Sequence, residues 1–191
     1  ISLNNLFSLN NTKINNLVLI KSNINLNKDN YNFFSQLLNQ DLVDLKLVIK
    51  DSNIFYRNND DEVLFINKVK NMNFYYDIKD SRNLVESENE IFNLNYTFKI
   101  IKKKNEKKIL SKLNINFFKL QIENNLDYNN TIKKGFANFS FNKRKSNLTY
   151  ELNKENLLLN FFEKSKKSNF SYNGNINFSP FYSNIKGSAI E

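Results

Sequence analysis

The chain has 191 residues, 40% apolar and 14% aromatic, which is enough for one domain with a core and too much for a disordered segment. It contains no cysteine, histidine or tryptophan, so disulfides, thiolate nucleophiles, imidazole bases and almost every zinc site are excluded. Its 28 basic residues against 19 acidic ones, a net charge of +9, direct attention to anionic partners: lipid headgroups or nucleic acid.

In chain order, Lys13 to Ile20 and Ser22 to Leu26 read as two short strands, with Leu17 and Leu19 on one face and Ile24 and Leu26 continuing it. Asp29 can cap a helix, and Tyr31, Phe34, Leu37 and Leu38 follow at helical spacing, which predicts a short helix over 30–39. Val43, Leu45, Leu47 and Ile49 then alternate. Asp51 and Ser52 read as a turn, and Ile54 to Tyr56 as the return strand. Val63 to Ile66 and the set Met72, Phe74, Tyr76 supply two more strands. Asp80 to Asn83 reads as a loop, and Leu84 to Glu90 has the weakest pattern in the chain.

From Ile91 onward the period is two. Apolar residues occupy every second position in Phe92, Leu94, Tyr96, Phe98 and Ile100, with Asn93, Asn95, Thr97 and Lys99 between them. The rhythm returns in Leu113 and Ile115, in Ala137, Phe139 and Phe141, and in Leu148, Tyr150 and Leu152. It returns again in Leu157, Leu159 and Phe161, and in Phe170, Tyr172, Ile176 and Phe178. Short polar connections between such runs give antiparallel neighbours. At Phe117 and Phe118 the parity shifts by one, which a bulge would absorb. Leu126 to Lys134 reads either as a long connection or as a short extra strand.

The expected fold is therefore mainly β: a single β-rich region, 1–191, with N-terminal strands plus the helix in 1–83 and a long antiparallel meander in 84–191. One face of that large sheet is apolar and the other carries Asn, Ser and Thr. One short helix cannot cover such a face. The sheet must either close on itself as a sandwich or barrel, or curl into a groove completed by lipid or by further chain. The groove reading selects its lining: Phe92, Leu94, Tyr96, Phe98, Leu113, Ile115, Phe139, Phe141, Tyr150, Leu159, Phe161, Tyr172 and Phe178.

Charge placement gives a second candidate surface. A regular meander puts Lys102, Lys103 and Lys104, then Lys143, Arg144 and Lys145, then Lys164, Lys166 and Lys167 at one end of the sheet as a basic rim suited to anionic headgroups. The Phe and Tyr residues belong to the alternating face rather than to an exposed stacking platform, so no nucleic-acid partner is expected. The acidic clusters Asp60, Asp61, Glu62 and Glu86, Glu88, Glu90 fall in expected turns and loops, without a calcium-loop pattern. No catalytic residue, metal or cofactor is expected. Asn, about one residue in five, reads as coding bias of an AT-rich genome, and its sequons are those expected by chance.

No apolar run exceeds four residues, against the roughly 20 of a membrane-spanning helix. The chain begins at Ile1 without a charged and then apolar leader, and it reads as a piece of a longer protein.

Three stretches carry a resemblance. They are the opening Leu6, Phe7, Ser8 with Ile14, Leu17, Leu19, Ile24 and Leu26; LVIKDSNIFYR, Leu47 to Arg57; and FSYNGNINFSPFYSNIKG, Phe170 to Gly187. In this order they resemble AsmA-like proteins, the bacterial bridge-like β-groove proteins related to AsmA and TamB. Ser52 stands where the family often has Gly, and Arg57 and Asn58 where an Asp often follows the Tyr. The resemblance implies a periplasmic scaffold anchored in the inner membrane by a helix upstream of Ile1. Its concave apolar face would shield phospholipid acyl chains on the way to the outer membrane, serving envelope biogenesis without catalysis. The alternative from the residues alone is a structural or adhesive β domain with a closed apolar core.

Overall fold

The computed structural model of the protein describes residues 16–27, 46–103, 105–128, 131–164 and 169–190. Among these, the strands are β1 (Asn16–Ile20), β2 (Asn23–Leu26), β3 (Lys46–Arg57), β4 (Val63–Asp77), β5 (Arg82–Ile91), β6 (Leu94–Lys103) and β7 (Lys108–Ile115). They continue with β8 (Leu120–Asp127), β9 (Lys133–Phe141), β10 (Arg144–Leu152), β11 (Asn156–Lys164), β12 (Asn169–Phe178) and β13 (Phe181–Ile190). All thirteen belong to one sheet. From β3 to β13 every strand pairs antiparallel with the next, which is the expected meander. The helix expected over 30–39 lies outside the described residues. The one helical piece among them is a 3-10 turn, Asn116–Phe118.

The first two strands depart from the meander. β1 and β2 lie end to end along the same edge of β3 and run parallel to it, Leu17 opposite Leu47 and Ile24 opposite Ile54. Between them Lys21 takes a positive φ of 52°, and beside it on β3 Asp51 does the same at 47°. The expected turn at Asp51–Ser52 is thus a kink within one continuous strand. Ser52 stabilises it: its buried hydroxyl accepts from the Ser22 N–H at 3.0 Å and donates to the Lys50 carbonyl at 2.7 Å. On the other side β4 slips by one residue between Val69 and Asn71. With matched irregularities on neighbouring strands, Leu47 and Ile49 before the kink share a face with Ser52 and Ile54 after it, as their partners Phe74, Met72, Val69 and Asn67 show.

Two further expectations are corrected. Leu84 to Glu90, the stretch without a clear pattern, belongs to β5, with Leu84 and Val85 buried. The parity shift at Phe117 and Phe118 is a reversal, not a bulge. β7 ends at Ile115, Lys119 takes a left-handed φ of 49°, and β8 returns with Leu120 opposite Ile115. Within the stretch from Leu126 to Lys134, Leu126 and Asp127 end β8, and Lys133 and Lys134 begin β9.

The core cluster comprises Ile24, Leu47, Ile49, Val69, Phe74 and Val85, with Leu17, Leu19, Ile54, Met72 and Ile100 packed against it. Every member comes from β1 to β6. The sheet does not close: β1 and β2 form one edge and β13 the other.

Candidate functional site: the apolar face of the sheet

Residues opposite each other on antiparallel strands point to the same face, so the register defines the face directly. From β6 the chain of partners runs Phe98 to Leu113, Leu113 to Ile122, Ile122 to Phe139 and Phe139 to Ser146. Two residues along β10, Leu148 stands opposite Phe161, Tyr150 opposite Leu159, and Phe161 opposite Tyr172. Leu94 and Tyr96, Ile115, Phe141 and Phe178 lie on the same face by alternation. The register therefore places twelve of the thirteen residues expected as lining on one continuous face, which also carries the core cluster of β1 to β5. Phe92 is the exception. It takes a positive φ of 49° at the tip of the β5–β6 hairpin and is 75% exposed.

Burial along this face is graded. Leu47, Ile49, Val69 and Phe74 are sealed, Phe139, Tyr150, Leu159 and Phe161 are half-buried, and Tyr172 and Phe178 are 40% and 42% exposed. Several side chains reach over an intervening strand. Tyr96 on β6 donates to Asn67 on β4 at 2.9 Å, and Tyr150 on β10 donates to Asn124 on β8 at 2.9 Å. The rings of Phe139 on β9 and Phe161 on β11 lie 6.3 Å apart over Ser146, and Phe161 continues to Tyr172 at 5.9 Å. Glycine accommodates two of these rings. The Tyr150 ring lies where a Cβ on Gly135 would stand, and the Tyr172 ring sits 2.6 Å from the equivalent point on Gly187. Any other residue at either position would lift its aromatic ring off the sheet.

Within the sealed half runs a polar strip that apolar periodicity did not reveal. Asn67, Ser87 and Asn89 are all buried; Ser87 Oγ lies 2.8 Å from Asn89 Oδ1, and Asn67 Nδ2 donates to the same oxygen at 3.4 Å. Tyr96 completes the strip through Asn67. Burial pushes its hydroxyl pKa up to about 12, with Tyr56 adding to the rise and the Asn67 bond opposing it. The only sequence signal was their parity: each stands where the alternation calls for an apolar residue.

The other face is richer in polar residues, although it also carries Leu84, Ile101, Leu110, Phe136, Leu158 and Phe162, and many of its charges pair across strands. Lys68 with Glu90, Lys99 with Glu86, Lys112 with Glu123 and Lys134 with Glu151 pair between adjacent strands at 2.5–2.8 Å. Hydrogen bonds from Lys68 and Lys112 hold Glu90 and Glu123 below the usual carboxylate range. Shallow depressions of about 310 and 510 Å³ on this side contain only such paired charges among their basic and acidic lining residues, except for Glu88. Among the described residues, no group of three or more acidic side chains is placed to hold a metal. None of their helices is long and apolar enough to cross a membrane.

No family model, curated protein or solved structure matches this chain. The functional reading therefore rests on the face itself and on its rims.

The basic rim is divided by the turn at 116–119. That extra reversal puts the β6–β7 connection and the β9–β10 turn at opposite ends of the sheet. Lys102 and Lys103 lie at one end; Lys143, Arg144, Lys145 and the backbone of Lys164 lie at the other, while Lys104, Lys166 and Lys167 lie outside the described residues. Lys102 is not on a rim surface at all. Opposite Asn83 and Ile109 it points to the apolar face, 8% exposed, its ammonium 5.1 Å from the centre of the Tyr128 ring, and burial lowers its pKa. Lys103 is paired with Glu106.

Proposed function

We propose that this protein is a non-enzymatic lipid carrier of the bacterial envelope, in which the apolar face shields phospholipid acyl chains between the inner and outer membranes. The observation that carries this reading is a single apolar face continuing from β3 to β13 on a sheet that does not close. Burying a large apolar side chain completely is worth roughly 1.5–3 kcal/mol. Over β9 to β12 much of that gain is unrealised, because Phe139 and Phe161 are half-buried and Tyr172 and Phe178 more exposed still. An acyl chain laid across these strands recovers it without requiring any polar partner. The contacts over intervening strands support a sheet curled towards this face. A closed structural or adhesive domain fits less well, since among the described residues no strand pairs with the outer side of β1 and β2 or of β13. The periplasmic setting and an inner-membrane anchor upstream of Ile1 belong to the same proposal through the AsmA-like resemblance.

Native mass spectrometry of the protein purified from a bacterial host tests it. Stoichiometric phospholipid is expected, and Phe139→Asp and Phe161→Asp should each reduce its occupancy at least about tenfold while far-ultraviolet circular dichroism stays unchanged. A compact monomer without lipid would sink the proposal.

A further inference from the structure

The end of the sheet where Phe92 protrudes has a character of its own. Three turns meet there: residues 92–93 between β5 and β6, 116–119 between β7 and β8, and 142–143 between β9 and β10. With strands spaced about 4.8 Å apart, they form a row about 20 Å long. The second and third are joined, since the Asn142 N–H donates to the Lys119 carbonyl at 3.3 Å. At their tips Phe92 and Phe117 are 75% and 77% exposed, and Phe118, edge-on to Phe117 at 5.0 Å, is 41% exposed.

These rings are poorly explained by folding. Phe92 and Asn93 both have positive φ, a hairpin geometry that favours Asn, Asp or Gly and costs a bulky side chain. The ring of Phe92 has Phe65 as a neighbour at 6.5 Å, yet three quarters of the residue remains in solvent. Lys119 follows Phe118 in the second turn, while Lys143 and Arg144 lie at the third, on the far side of Phe117 and Phe118 from Phe92. None of the three turns contains an acidic residue. At the opposite end, the turns at 78–81, 105–107 and 153–155 each hold both signs of charge. Acidic residues do occur on the Phe92 end, in the β3–β4 turn at Asp60, Asp61 and Glu62 to one side of the row, and at Glu163 near the end of β11 on the other side, 3.8 Å from Arg144.

We propose that this row of turns is a docking edge for a bilayer rich in anionic lipid, with Phe92, Phe117 and Phe118 entering the acyl boundary and Lys119, Lys143 and Arg144 meeting the headgroups. Exposed apolar tips and a cluster of cations on one edge, with Glu163 3.8 Å from Arg144 as their acidic neighbour, match the two components of such a surface, hydrocarbon below and negative charge above. The docked edge places the strand ends of the apolar face at the membrane. It does not require the face to carry lipid, so the two proposals can fail separately.

The test is co-sedimentation of the whole chain with phosphatidylcholine vesicles containing about one third phosphatidylglycerol, at low and high salt. Binding is expected at low salt and should weaken as salt rises. The double variant Phe92→Asn/Phe117→Ser should bind at least about tenfold more weakly. Its folding is not the weak point, because Asn takes the left-handed conformation more readily than Phe. Ile78→Ser/Ile132→Ser, which alters exposed apolar residues at the opposite end, should bind like wild type. Phe139→Asp should also keep vesicle binding even where it empties the face of lipid. The proposal is overturned if wild type stays in the supernatant, if Phe92→Asn/Phe117→Ser sediments as wild type does, or if the Ile78 and Ile132 changes reduce binding equally.

Discussion

Tyr96 shows how a single residue couples the polar strip to stability. Its hydroxyl bridges β6 to β4 through Asn67, and its pKa is raised by burial first and by Tyr56 second, to about 12. An unfolded tyrosine titrates near 10. The folded state thus keeps this proton where the unfolded state has begun to lose it. Stability is intact below pH 10 and falls as the pH climbs from 10 through 12. Tyr96→Phe removes the hydrogen bond and the titrating group together. At neutral pH it should cost about 1 kcal/mol for the lost bond, and it should make the alkaline decline shallower. The decline should not vanish, because burial also raises Tyr128. Urea unfolding followed between neutral pH and pH 11 reads both effects. An equally steep alkaline limb in Tyr96→Phe would show that another group controls it. Lys102 sits on the same face as a buried cation over an aromatic ring, so the sealed half of the sheet holds more polar chemistry than its apolar pattern announces.

At the scale of elements, the two edges of the sheet differ. One is divided into two short strands by the Lys21 kink; the other, β13, is ten residues long, regularly paired along its whole length with β12, and interrupted by neither a bulge nor a proline. Long, flat edges of this kind template pairing with other strands. The purified chain should therefore self-associate with increasing concentration, and Ile185→Lys, a charge on the 55%-exposed apolar side of β13, should shift it towards monomer in sedimentation velocity. A wild type that stays monomeric at high concentration would show that this edge is already protected. Strands such as β6 and β10 were legible because every second side chain must choose between solvent and a buried face. β5 was not, since Asn83, Ser87 and Asn89 occupy its inward positions and their burial depends on partners that only the fold supplies. The hairpin at 116–119 lacked the glycine or proline that marks most turns, and its outermost residues are Phe117 and Phe118, which in sequence continue an apolar run. Missing one reversal left the apolar face correct, because both flanking strands keep their parity. It exchanged the ends of every later turn, and for that reason the basic residues separate into two groups.

Across the whole molecule the apolar face is sealed at one side and open at the other. β1 to β5 bury Ile24, Leu47, Ile49, Val69, Phe74 and Val85 among themselves, whereas β9 to β13 leave Phe141, Tyr172, Phe178 and Ile185 substantially in solvent. A sheet built this way should not open as one unit. Local stability follows buried apolar contact, so amide exchange should be slowest in β3 to β5 and become faster towards β13, whose outer backbone groups have no neighbouring strand among the described residues. Lipid bound to the exposed half would change that order in a specific way. Protection should rise over β9 to β13 and stay nearly constant over β3 to β5, because an occupant can stabilise only strands that it covers. Hydrogen exchange with mass spectrometry, before and after exhaustive delipidation, makes the comparison strand by strand. If delipidation lowers protection evenly across the sheet, the lipid acts on global stability from elsewhere; if it changes nothing, the open half is ordered without an occupant. Loss confined to β9–β13 would place the acyl chains on Phe139, Phe161 and Tyr172, where the face has most left to bury.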